Sequence, residues 1–586
     1  MAKGAEKCQH AIMLAVSKKW AAKPAFWLVL GLAITFAALF AEQLGLDRSA
    51  GWGRGRIALL SFGVLLTIFT VVTWREGRGG HTTVEGVPAA HSDGLFSYWL
   101  HTYWPVLPLS VFVVVVYVWF ASSGTWSTWT SQTRYYADLA HGFQKGHLYL
   151  AIRVPTSLIN SPDPYEPSAP WVSQGPIDYS YYRGRYYLAW EPVPALIVWL
   201  VRVTLQVWLG DLQLTFGFLC GIFLVQCLLM MWIWDHFFQA LPRWLPWVSM
   251  LLAGVAGPTT FMLNNINAGR IYDAAIAGGQ FFLLSGFLCA VLALQKRSSW
   301  CVALAGTSWA LSVGTRPDLV LPIGVMVLGV STCVLRRDGW SVGAIKAFSF
   351  LCVPLLIGGV LVGWYNWARF GSIFETGYFY QMAGVNIHKY WNARFSLRYV
   401  IPNLYGYLLN PVLITRGFPF SQVQASTLDL ISSFVSVPNF YYVQMLTGIL
   451  WSAPFVIFAL VPLAGVGRFA VIRQQPTPGT PVEEQRLLSW IQWTLGLSCL
   501  VALGLVLSYF WAAMRFLENF TPSLILLSAI GFWQGYQQLV RKRFWQRSYA
   551  ALGVILSIVS IVISILGTIS VLMLRFDLAT LFPILR

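Results

Sequence analysis

The chain has 586 residues, 57% of them hydrophobic and only 10% charged, with a mean hydropathy of +0.62. A soluble domain carries about 25% charged residues, so a chain this long and this poor in charge cannot cover a water-facing surface, and lipid must cover much of it. The formal net charge of +17 then reads as cytoplasmic-loop Lys and Arg rather than a nucleic-acid-binding stripe, which sets nucleic acid aside as a partner. The N-terminal stretch from Lys3 to Lys23 is a basic tail with no cleavable signal. Apolar runs long enough to cross about 30 Å of hydrocarbon follow at 26–44, 57–74, 104–121, 213–233, 245–263, 272–294, 318–335, 347–365, 445–466, 489–509, 519–538 and 549–573. A shorter run, 301–314, crosses only with local thinning of the bilayer or an extended helix. The run 187–208 contains Glu191, Pro192, Pro194 and Arg202, costly groups to place in lipid, so it is expected to lie outside as a juxtamembrane helix. With that run excluded, the basic clusters at 3–23, 296–297, 336–346, 468–486 and 541–547 all fall on the cytoplasmic side. The result is an all-α polytopic membrane protein of about thirteen transmembrane helices.

Two external loops are then long, 122–212 and 366–444. Both are rich in Tyr, Trp and Pro, which favours folded, functional loops. The linker-like segment is Gln474–Glu484 (QQPTPGTPVEE). The eight Cys residues contain no C-x-x-C pair, so neither a disulfide framework nor a zinc site is signalled.

The first long loop holds Asp138, Asp163, Glu166, Asp178 and Glu191, with Arg134, Arg183 and Arg185 as available partners. Asp138 lies a short way past a span end among Tyr135, Tyr136 and Leu139, where a carboxylate can reach an active site at the outer membrane boundary as catalyst or metal ligand. Asp178, beside YYRGRYY, reads equally as a loop acid paired with Arg183 or Arg185. His141 and His147 have no partner at metal spacing and read as structural. Further polar groups sit at span ends on the same face: Arg270 and Asp273 in NAGRIYDAA, Arg316 and Asp318 in GTRPDL, Asn366, Arg369 and Glu375 in WYNWARFGSIFETGY, and Arg515 and Glu518 in WAAMRFLENFTP. Ionisable groups at that depth line cavities, and several Arg on one face suit a phosphate.

Taken in order from Tyr103 to Gly535, the segments YYADLAHGFQKGHLYL, DYSYYRGRYYLAWEPVPAL, RIYDAAIAGGQFFL, GTRPDLVLP, YNWARFGSIFETGYFYQMAG and MRFLENFTP resemble a bacterial group of GT-C-type membrane glycosyltransferase-like proteins, relatives of the aminoarabinose and protein-mannose transferases. The resemblance implies a GT-C-like core over 101–586, with residues 1–100 as an added tail and hairpin. It also implies a polyprenyl-phosphate sugar donor and inverting transfer to an external glycan, lipid or protein, in the bacterial inner membrane with the active side facing the periplasm. It makes an acid of the first large loop the base or metal ligand, with Asp138 the best match and Asp178 the second. Glu191 before Pro192 is similar to the acid before proline in aminoarabinose-type enzymes. Arg316 and Arg369 would contact the donor phosphate, with Arg270 and Arg515 near, and Arg134, Asp273, Asn366 and Glu375 would complete the polar cavity. Metal dependence stays open. Two departures from the family pattern stand: Ser122–Thr133 contains no acid, and the large loop follows the third apolar run rather than the first. The alternative reading is a lipid-linked-glycan transporter or binding protein without chemistry. The gathering of charge toward one face, with no internal repeat, favours the enzyme.

Overall fold

The computed structural model describes residues 24–39, 59–60, 62–63, 66, 106–126, 129, 131, 133–167, 177–264, 271–424, 440–462 and 482–574. Most of residues 1–100 and the segment 474–481 lie outside them. The chain divides into two compact units, residues 1–110 with 203–207 and residues 111–202 with 208–586. In the first, α1 (Pro24–Leu39) is met so closely by Gly63 that a Cβ there would come within 2.7 Å of the Thr35 amide nitrogen.

The second unit is built of long apolar helices, because chain surrounded by lipid must satisfy its backbone internally. After α2 (Val106–Ala121), the first long loop contributes a short helix, α3 (Tyr135–Gln144), and a two-stranded hairpin, β1 (Tyr179–Tyr182) with β2 (Arg185–Leu188). The hairpin turns on two residues of positive φ, Arg183 at 48° and Gly184 at 75°, the mirror-image turn whose twist matches the strands. α4 (Val193–Leu205) has 13 residues, and at 1.5 Å per residue it rises about 20 Å, too little to cross a bilayer. Then come α5 (Asp211–Phe237), α6 (Trp244–Val255), α7 (Ile271–Lys296), α8 (Ser299–Val313), α9 (Val320–Asp338), α10 (Val342–Phe370), α11 (Val482–Leu507), α12 (Thr521–Gln538) and α13 (Arg543–Leu572).

Among the described residues seven helices are long and apolar enough to span a membrane: α5, α6 with its continuation to Met262, α7, α9 with its leading turn, α10, α11 and α13. The chain is an integral membrane protein, predominantly helical. The core is the packing of α7 on α5 and α8, with α8 on α10. Glycine makes these approaches possible: a Cβ at Gly286 would stand 2.4 Å from the Trp309 ring, and one at Gly306 would stand 2.4 Å from the Leu351 carbonyl oxygen. α10 turns its apolar residues outward, only 6% of its most apolar window being buried, as a lipid-facing helix does.

The apolar run expected to span over 445–466 does not form one helix. It breaks at Ala453–Pro454 into a turn of α-helix (Ile449–Ser452) and a 3-10 stretch (Pro454–Ala459), because the residue before a proline is pushed out of the helical region. A second break, at Ala256–Pro258, follows α6. One face of α13 supplies what the breaks leave unbonded. Ser564 Oγ accepts from Gly257 N at 2.8 Å and donates to the Ser452 carbonyl at 2.9 Å. Ser560 Oγ accepts from Phe455 N at 3.2 Å, and the Thr260 and Thr568 hydroxyls pair at 2.9 Å.

Candidate functional site

The site begins with α3, whose N-terminal amides would otherwise have no partner. Asp211, the first residue of α5 and fully buried, accepts from them. Its Oδ2 takes the Thr133 hydroxyl at 2.5 Å and the Tyr135 amide at 3.0 Å, and its Oδ1 takes the Tyr136 amide at 3.2 Å. A carboxylate at the positive end of a helix also gains from the helix dipole. Asp211→Asn exchanges one acceptor oxygen for a donor facing N–H or O–H groups. It is expected to cost about 1–3 kcal/mol and to lower the melting temperature in detergent by several degrees. An unchanged melt would show that this cap does not hold the helix. Asp211 stands at the very end of the loop 122–212, next to the apolar run 213–233, and no motif around it marks it as a cap for a distant helix.

α3 thereby presents Asp138 half-buried, with one hydrogen bond, from the Tyr179 hydroxyl of β1 to Oδ2 at 3.0 Å. Burial pushes its pKa up. The Tyr179 bond opposes this, followed by the charge of Arg134, itself exposed. Tyr135 and Tyr179 stack edge-on at 4.8 Å, and the Tyr135 hydroxyl donates to the Ile177 carbonyl at 2.6 Å. Burial holds the Tyr135 phenol well above its ordinary pKa, and the charges of Asp178, Asp211 and Asp138 push it the same way.

Asp178 is buried and carries a left-handed backbone at φ 73°, strained for a non-glycine residue. Its Oδ1 accepts from Tyr272 Oη at 2.7 Å and Gln381 Nε2 at 3.0 Å, and its amide donates to the Met382 carbonyl at 2.7 Å. The expected pairing with Arg183 or Arg185 is not what forms. Those guanidiniums lie over the rings of Tyr182 and Tyr149, because the hairpin turn directs them away. Burial raises the Asp178 pKa, opposed by the Tyr272 bond and then by Arg515. Arg515 is itself buried, its guanidinium 4.8 Å from the Tyr272 ring centroid, with Nη1 donating to Gln444 Oε1 at 2.8 Å and Nε unpartnered.

Glu191 is fully enclosed, and neither of its oxygens accepts a well-formed hydrogen bond. Burial pushes its pKa to about 7, opposed first by Arg369 and then by Asn366. The Asn366 amide is close enough to favour the charge, but it is aimed at the Ile373 carbonyl, 3.4 Å away. Arg369, proposed from sequence as a phosphate contact, is buried with protein acceptors on all three nitrogens: the Leu188 carbonyl at 2.6 Å, Asn366 Oδ1 at 2.6 Å and the Tyr365 carbonyl at 3.4 Å. Its guanidinium also lies 3.8 Å from the Tyr365 ring centroid. It ties the end of β2 to α10.

Arg316 sits in the turn before α9. Its Nε bonds Asp318 Oδ1 at 2.8 Å while Nη1 is buried and unpartnered. Asp273 is buried in the first turn of α7. Glu375 caps its own loop, accepting from the Gly377 amide at 2.7 Å. Arg270 lies outside the described residues. His141 packs edge-on against Trp208 and His147 stacks on Tyr149. The two long loops dock on each other through Asn386 on Asp163 at 3.0 Å and Lys389 on Glu166 at 2.5 Å, with His388 against both Phe379 and Tyr165. Among the described residues no three His, Cys, Asp or Glu side chains converge as a metal site. Tyr272 and Gln381 were also passed over, although Tyr272 lies inside the quoted RIYDAA segment.

No family model and no curated protein matches this sequence. Among solved structures, the chain is similar to an Archaeoglobus fulgidus oligosaccharyltransferase in the apo form, at 13% identity and TM-score 0.43. It is also similar to the Archaeoglobus fulgidus oligosaccharyltransferase AglB in complex with an inhibitory peptide and a dolichol-phosphate, at 13% identity and TM-score 0.39. In each case 81% of this chain is covered, and the chain spans about 56% of the other's length.

Proposed function

We propose that the chain is an inverting glycosyltransferase of GT-C type that moves a sugar from a polyprenyl-phosphate donor to a glycan, lipid or protein acceptor. Its scaffold in this reading is a bundle of about thirteen crossings in a bacterial inner membrane, with loops 122–212 and 366–444 on the periplasmic side. The observation that carries the proposal is the patch where Asp138, Asp178 and Arg515 meet through Tyr135, Tyr179 and Tyr272. It gathers carboxylates and a guanidinium with an unpartnered N–H at the ends of spans.

Of the three candidate acids, Asp138 is the one left open, since Asp178 is buried with Oδ1 already accepting from Tyr272 and Gln381, and Glu191 is enclosed. In the reaction, the acceptor hydroxyl gives its proton to the Asp138 carboxylate as its oxygen attacks the anomeric carbon. The bond from that carbon to the phosphate oxygen breaks, and polyprenyl phosphate leaves with the electron pair. Arg515 and Arg316, each with an N–H free for a ligand, stabilise the charge developing on it. Arg369 serves the scaffold in this scheme, and Asp178 orients Tyr272 and Arg515.

The test is release of polyprenyl phosphate from undecaprenyl-phosphate sugars by the purified chain in liposomes, with membrane glycolipid and glycan fractions as acceptors. Acceptor-dependent release is the expected result. Tight binding of the donors without release under any acceptor would favour the non-catalytic carrier instead.

A further inference from the structure

Five buried polar atoms without a protein partner belong to four neighbouring side chains: Tyr136 Oη, both Glu191 carboxylate oxygens, Tyr365 Oη and Arg316 Nη1. Tyr136 and Glu191 are fully enclosed and Tyr365 is 3% exposed, while the Arg316 side chain, 16% exposed, stands at the rim. Their segments are in contact: the Val193 amide donates to the Gly314 carbonyl at 3.0 Å, Arg369 of α10 donates to the Leu188 carbonyl at 2.6 Å, and Phe143 of α3 lies 6.4 Å from the Tyr365 ring, centroid to centroid, which brings Glu191, Tyr365 and Arg316 within electrostatic reach of the Tyr136 phenol. A buried hydroxyl or carboxylate without a partner is costly, and natural structures tolerate it where a water, an ion or a ligand group completes the bond. Here three separate segments, α3, the loop before α4 and α10, each bring such a group to the same spot.

We propose that Tyr136, Glu191, Tyr365 and Arg316 form the subsite for the hydroxyl groups of a neutral sugar ring, the glycosyl part of the donor. This rests on the transferase reading above. The chemistry selects the ligand class. A phosphate would have to face the Glu191 carboxylate, and an ammonium would have to face the guanidiniums of Arg316 and Arg369, so a charged group of either sign meets repulsion. The cluster offers a pure donor in Arg316 Nη1, an acceptor in Glu191, and two phenols that do either. Ring hydroxyls, each both donor and acceptor, match that mixture.

Arg316 also acts on the Tyr509 phenol, as do Arg515 and Arg394, and the Tyr509 and Tyr378 hydroxyls meet at 2.5 Å. Arg316 is thus within electrostatic reach of both the Tyr136 phenol and the Tyr509 phenol.

The experiment measures equilibrium binding to the full purified chain of undecaprenyl phosphate alone and of undecaprenyl phosphate bearing mannose, glucose or galactose. The wild type is expected to bind at least one glycosylated lipid about tenfold or more tightly than the bare lipid. In the Tyr136→Phe/Tyr365→Phe double variant that ratio falls to about one, and in Glu191→Gln it falls severalfold, because each change removes bonds that the sugar completes. The Phe variants keep the rings and remove hydroxyls that satisfy nothing in the free protein, so their melting temperature stays or rises, which separates lost binding from lost folding. A wild type with no preference for any of the three sugars would mean that the cluster holds water only, and the subsite falls while the transferase reading stands. A double variant that keeps the preference overturns the subsite as well. Failure of the wild type to bind any of the four lipids overturns both.

Discussion

Asp138→Asn lowers turnover about a hundredfold or more and leaves the fold intact. Asn keeps the shape of the side chain and an oxygen for the Tyr179 hydroxyl at 3.0 Å, and it loses only the charge and the capacity to take a proton. A positioned general base contributes about 10²–10⁴ in rate, which sets the size of the loss. The fold survives because the residue is half-exposed at the surface of α3 and makes one side-chain hydrogen bond. Burial raises the Asp138 pKa, and a base works only when ionised, so wild-type turnover falls as pH drops through that raised value. The acidic limb therefore lies above the ordinary aspartate range, and the Asn variant loses it. Asp178→Asn is the control. It keeps an oxygen for Tyr272 and Gln381 and changes only the charge facing Arg515, so its loss is expected to stay under about tenfold. The measurement is sugar transfer from a polyprenyl-phosphate donor with variants matched for expression. Wild-type turnover in Asp138→Asn removes Asp138 as the catalyst.

Arg369→Ala has the other large effect, on stability. It leaves the Leu188 carbonyl and Asn366 Oδ1 without their donors and Glu191 without the cation that most favours its ionised form. Removing one partner from a buried charged network costs roughly 3–5 kcal/mol. The expected result is a melt far below wild type, or no folded protein in detergent. Arg369→Lys does not restore it, since one ammonium cannot make three directed bonds and lie flat over the Tyr365 ring. Arg316→Ala, at the rim, is expected to leave the melt nearly unchanged and to weaken donor binding. An Arg369→Ala protein with a wild-type melt and only weakened donor binding would return Arg369 to the phosphate.

These two arginines mark how far a sequence speaks for its fold and where it stops. Span ends were legible because hydrophobic length and charge are local quantities. The runs at 213–233, 272–294 and 347–365 became α5, α7 and α10 with modest extensions. The pairing of a polar residue at a span end is not local. Arg369 and Leu188 are 181 positions apart, and Asp178 and Tyr272 are 94 apart. Nothing in WYNWARFG tells an arginine that closes on a distant carbonyl from one that waits for a phosphate. The run 445–466 shows a different limit of hydropathy, which does not tell a continuous helix from a broken one. Its hydropathy is that of a span, but Pro454 interrupts it, and an apolar segment with a broken backbone is viable in this unit because α13 bonds the freed groups. Asp211 was invisible as a cap because the helix it caps is 67 positions or more before it in sequence.

The serine and threonine face of α13 bears on how the chain is made. A membrane protein is handed to the bilayer in order of synthesis, and the amide of Gly257 and that of Phe455 emerge long before Ser564 and Ser560 exist to accept from them. Until α13 arrives, those two kinks hold naked peptide groups that lipid cannot serve. They must wait where water still reaches them, beside the insertion machinery or in a hydrated gap among the earlier helices. Release into bulk lipid is thereby coupled to the arrival of α13, which acts as the stave that closes over those two kinks.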